Sequence, residues 1–128
     1  MFGFKKKEVN SMVIVHYEGL PRFKQDFPCT VTLEDDCITF VENEGNTIKL
    51  PYRQITKVDA MPEVQFMLKY HNDKSKAKKG TVWFRVITYT SSTGEEKYIA
   101  LWDVGTKSIK FFDALEARIK KEPTEITL

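Results

Sequence analysis

Apolar and polar residues alternate over most of this chain, and a two-residue period marks strands with one buried face. Residues 12–18 form the first such run, followed by Gly19-Leu20-Pro21 and an irregular stretch to Phe27-Pro28. Residues 29–34 and 37–42 then flank Asp35-Asp36, a two-residue turn that sets Leu33 opposite Ile38 and Val31 opposite Phe40. In that register Cys29 points inward with Val31 and Leu33, while Cys37 points outward with Thr39. A polar, Gly-containing turn at 42–46 leads into the next strand, 47–50. Pro51 has no N–H to give to a ladder, so it ends that strand before 54–58 extends again. Val64, Phe66, Leu68 and Tyr70 alternate with Gln65, Met67, Lys69 and His71, which predicts another strand. The polar stretch 72–80 reads as an exposed loop, and 81–90 and 96–102 as a long hairpin about Ser91-Ser92-Thr93-Gly94.

Counting back from that last turn pairs Phe84 with Leu101 and Val86 with Ile99 on one apolar face. The reverse face pairs Trp83 with Trp102, Ile87 with Tyr98 and Tyr89 with Glu96, with Arg85 between them. A slip of one residue would exchange the two faces. Two greasy faces need a second cover: the C-terminal helix, the N-terminal segment or a partner chain. Beyond Gly105 the period lengthens. Ile109, Phe112, Leu115 and Ile119, with Phe111 alongside, lie three and four apart, which predicts one amphipathic helix limited by Pro123. A single helix at the end of the strands excludes a parallel βαβ sheet, so the strands are expected to run antiparallel.

The chain's 128 residues fit one domain, and 41% hydrophobic with 30% charged residues is ordinary for a folded globular chain. The formal charge of +2 is too near neutral to mark a nucleic-acid binder, so any electrostatic role must be local. The longest early apolar run, 12–15, is far short of the roughly 20 residues a bilayer span needs, and Lys5, Lys6 and Lys7 lead into polar sequence instead of a signal-peptide core. A reduced, cytoplasmic setting is expected. Cys29 and Cys37 lie on opposite faces several rows apart, outside disulfide reach. No metal-ligand spacing, phosphate cradle or nucleophile elbow occurs, and His16 and His71 sit in strand patterns, so no catalytic, metal or cofactor-binding residue is assigned.

Tyr17-Glu18-Gly19-Leu20-Pro21, the run from Val31 to Phe40, and Ile48-Lys49-Leu50-Pro51-Tyr52-Arg53-Gln54-Ile55 resemble segments of bacterial pleckstrin-homology-like (PH-like, GRAM-like) domains. The resemblance spans nearly the whole chain. It implies a mainly β fold of about seven strands in two packed orthogonal antiparallel sheets, closed by one C-terminal helix. Residues 12–121 would be the domain, 1–11 a flexible basic segment and 122–128 a tail. If 29–34 is the first strand, the turn where such domains hold phosphate is the acidic Asp35-Asp36, which argues against lipid headgroups there. Such domains are usually non-catalytic interaction modules. A protein partner or self-association is expected, through Trp83, Arg85, Ile87, Tyr89, Tyr98 and Trp102, because Trp, Tyr and Arg are favoured anchors. The alternative is peripheral binding to anionic lipid at the inner membrane surface through Lys74, Lys76, Lys78 and Lys79, with Lys5–Lys7 beside Phe2 and Phe4 as a second basic contact.

Overall fold

A computed structural model of the chain describes residues 10–119. The basic segment and the tail named above therefore fall outside the described residues, apart from positions 10 and 11. Strands β1 (Ser11–Glu18), β2 (Phe27–Leu33), β3 (Cys37–Glu42) and β4 (Thr47–Pro51) are followed by a 3-10 turn, Tyr52–Gln54. Then come β5 (Ile55–Pro62), helix α1 (Glu63–His71), a second 3-10 turn (Lys74–Lys76), β6 (Trp83–Thr90), β7 (Glu96–Asp103) and helix α2 (Lys107–Ile119). All strand pairs are antiparallel, in one sheet of order β4-β3-β2-β1-β7-β6-β5.

The expected pair of sheets is thus one continuous sheet, left open between its two edge strands, β4 and β5. Continuity comes from β1. Its residues Ser11 to His16 pair with β2, while Val15 to Glu18 pair with β7, with a register irregularity between His16 and Glu18. Gly19 follows at φ +110°, where a Cβ would lie 2.3 Å from the Tyr98 carbonyl oxygen, so only glycine lets β1 end against β7.

The β2–β3 hairpin has the register read from its turn, Leu33 opposite Ile38 and Val31 opposite Phe40. Cys29 is buried in the core, and desolvation pushes its thiol up to about 12. Cys37 and Thr39 were expected to face outward, yet both are buried. Thr39 lies between Thr32 and Lys49 on the neighbouring strands and donates to Glu34. Both cysteines are free thiols.

Three further expectations are corrected. The alternating run beginning at Val64 is helix α1, because Glu63, Phe66, Met67 and Tyr70, at helical spacing, are the residues it turns inward. Val64 and Leu68 remain exposed; Pro62 precedes the first turn and Asn72, in the left-handed region, ends the last. The last hairpin is shifted by one residue: Phe84 opposes Trp102, Val86 opposes Ala100 and Ile87 opposes Ile99. Its loop has three residues where four were counted. Ser91 N–H donates to the Glu95 carbonyl, Gly94 N–H to the Ser91 carbonyl, and Gly94 sits at φ +90°. In α2, Ile109 is exposed, and Ser108, Phe111, Phe112 and Leu115 form the buried face.

Two clusters result. The larger lies between the inner face of the sheet and α2, and holds Ile14, Phe40, Leu50, Ile87, Leu101 and Phe111. The smaller lies on the reverse of β6 and β7 beneath α1. There Phe66 stacks on Phe84 at 4.3 Å between ring centroids, and Tyr17 meets both rings edge-on. The cover that the second apolar face requires is therefore α1.

Candidate functional site

The lysine-rich segment is fastened by one carboxylate. Glu63, 2% exposed in the first turn of α1, accepts backbone N–H groups from Lys78 at 2.9 Å, Lys79 at 2.9 Å and Gly80 at 3.1 Å. A buried carboxylate without such donors would be costly, and three amides aimed at it make a strong clamp. Because Asn72 leaves the far end of α1 and residues 78–80 return to its start, the loop runs back along the helix. Lys79 then reaches inward. Its Nζ is 3.4 Å from Asp26 and 3.9 Å from Glu63, over the rings of Tyr17 at 4.9 Å and Trp102 at 5.7 Å. Trp102 Nε1–H donates to the same Asp26 at 2.9 Å.

The other end is held by Glu18. His71 Nε2 lies 2.8 Å from its Oε2, and the Tyr98 hydroxyl donates to the same oxygen at 2.5 Å. Lys76 Nζ lies 3.4 Å from His71 Nδ1 on the other side of the ring. Burial, and then the Glu18 carboxylate, push the Tyr98 hydroxyl well above the ordinary tyrosine range. Asp73 caps the short 3-10 turn, accepting from Ser75 N–H at 3.0 Å and Oγ at 2.6 Å, and those bonds hold its carboxyl below the usual range.

Of the four lysines named from the sequence, Lys74, Lys76 and Lys78 are exposed and Lys79 is the internal pin. Beside them α1 exposes Val64 (50%) and Leu68 (48%), one helical turn apart, with Lys69 next to Leu68. Trp83, 46% exposed, stands opposite Pro62 at the start of the helix. One helix thus exposes two apolar side chains and carries the lysine-bearing loop fastened to its first turn.

The six residues expected to form a partner face are divided by the shifted register. Trp83, Arg85, Ile87 and Tyr89 belong to the side facing the larger core, where Ile87 is fully buried, Tyr89 packs at the edge and Arg85 lies over the Phe112 ring at 5.3 Å. Tyr98 and Trp102 pack on the other side against the smaller cluster. Glu63, Val64 and Leu68 were missed. Their signal was Pro62 before an acid, followed by apolar residues three and four apart.

At the open edge of the sheet an apolar groove of about 350 Å³ is walled by Leu20, Pro21, Ile48, Leu50, Tyr89 and Ile99. A neighbouring cavity of about 400 Å³ shares Gly19 and Tyr89 with it and adds Glu18, Glu96 and Tyr98. Among the described residues no three His, Cys, Asp or Glu side chains gather as metal ligands, and no helix is long and apolar enough to cross a membrane. No family model matches this chain, and no curated protein matches it either.

Proposed function

We propose that the chain is a non-catalytic interaction module of PH-like fold that docks on an anionic membrane surface through α1 and the lysine loop. One observation carries this reading: the Glu63 clamp fastens the loop bearing the exposed Lys74, Lys76 and Lys78 to α1, the helix that exposes Val64 and Leu68. Apolar side chains to enter the headgroup boundary and cations to meet anionic lipid are the two ingredients of interfacial binding. The nearby acids are engaged, Glu63 by backbone amides, Glu18 by His71 and Asp73 by Ser75. Strand order with a C-terminal helix over the inner face supports the PH-like assignment; the unclosed sheet and α1 are departures from it.

Pelleting with vesicles of phosphatidylserine and phosphatidylcholine tests the proposal. Binding is expected to require phosphatidylserine and to weaken with salt. At about 1 kcal/mol per basic residue, Lys76→Glu with Lys78→Glu removes two cations and lowers affinity about 30-fold or more. Equal pelleting of wild type and variant would reject it.

A protein partner is the second reading, favoured by the open groove beside β4 and the half-exposed Trp83. Self-association through the last hairpin has less support, since α1 and α2 cover its faces.

A further inference from the structure

The seam between β4 and the tip of the β6–β7 hairpin has the chemistry of a missing strand. Glu42 N–H bonds to the Asn46 carbonyl, so by antiparallel alternation Ile48 and Leu50 direct their backbone groups to Phe40 and Ile38 on β3. Thr47 and Lys49 then direct theirs away from the sheet. Among the described residues neither has a backbone partner on that side. Pro51 ends the strand at the next outward position, where an N–H would have had no partner. Sheet edges are ordinarily shielded; this one borders the apolar groove, whose floor is Ile48, Leu50 and Ile99.

The mouth of the seam is acidic. Glu18 and Glu96 line the adjoining cavity between Tyr89 and Tyr98, and Lys97, also on its wall, is 3.7 Å from Glu95. Among the described residues Glu18 receives His71 and Tyr98 on Oε2, and none bonds to its Oε1. Carboxylates flanked by tyrosine rings suit an ammonium or guanidinium group.

We propose that this seam takes an extended peptide segment of a partner protein, paired to the outward edge of β4, with an apolar side chain in the groove and a lysine or arginine at Glu18 and Glu96. Main-chain bonds to Thr47 and Lys49 supply affinity, and the two cavities supply selectivity. The site meets the His71 end of α1 at Glu18, yet peptide binding there does not depend on membrane binding.

The test selects random dodecapeptides displayed on phage against the full chain. Enriched sequences are expected to alternate apolar residues and to carry a lysine or arginine. A synthetic copy of the best one should slow hydrogen exchange at the Lys49 amide. Lys49→Pro removes one outward N–H and no ladder bond, and is expected to weaken that peptide tenfold or more with thermal unfolding unchanged. Glu96→Lys should shift selection away from basic sequences. No enrichment, enrichment of acidic peptides, or full binding by a folded Lys49→Pro variant would overturn the proposal. So would a dimer in light scattering that Lys49→Pro dissolves, which would assign the edge to a second copy. If Lys49→Pro does not fold, the wild-type Lys49 exchange decides, and an unprotected amide counts against the site.

Discussion

Both ring nitrogens of His16 are used inside the fold. Nδ1 donates to the Lys24 carbonyl at 3.0 Å, and Nε2 accepts the Leu20 N–H at 3.1 Å, while the backbone carbonyl takes Asp26 N–H. This one residue, 2% exposed, ties down the loop 19–26 that walls the seam. A second ring proton would displace the Leu20 bond. Burial lowers the imidazole pKa below its ordinary 6.5, with Lys24, Glu18 and Asp26 only partly opposing. The unfolded chain therefore takes up the proton first: stability is full above about 6.5 and falls as pH drops below it. The urea midpoint of wild type is expected to decline over that acidic range and that of His16→Gln to stay flatter. Equal slopes would remove His16 from the account. Sequence alone placed His16 on a strand, but nothing in it announced that the loop would fold back over the ring. The contacts reach ten residues along the chain, to Asp26, through left-handed backbone at Arg22 and Asp26.

At the scale of elements, α1 and the lysine loop behave as one unit held by Glu63. Glu63→Gln keeps the size but replaces one acceptor oxygen with an N–H₂ facing amide donors. The expected cost is about 2 kcal/mol, with faster exchange at the amides of residues 78–80 and weaker vesicle binding. Unchanged exchange there would show that the loop holds itself. The lysines were legible as a charged run; their attachment was not, because it depends on a helix that the alternation concealed. In Val64 to His71 the apolar residues satisfy both periods, and packing against Phe84 decides for the helix. The hairpin register failed for a smaller reason, a loop one residue shorter than counted, and that slip divided the expected anchors between the two faces. The β2–β3 hairpin was readable because its two-residue turn left one pairing consistent with both apolar faces.

Over the whole molecule, one open sheet presents two different outer surfaces: the cationic, apolar-edged slab of α1 with its loop, and the acid-mouthed seam beside β4. The period counted one strand too many, at α1, whereas antiparallel order and the C-terminal helix followed from period and turn chemistry. Neither surface did, since each joins segments far apart in the chain, such as Pro62 with Trp83 and Glu18 with Tyr98. The membrane reading makes a geometric demand: Val64, half-exposed on α1, must enter the lipid. Quenching of the single tryptophan of a Val64→Trp, Trp83→Phe, Trp102→Phe variant by lipids brominated on their acyl chains measures this directly. Strong quenching with phosphatidylserine vesicles, lost at high salt, is the expected result. Vesicle binding without quenching would place another face against the membrane and contradict the account.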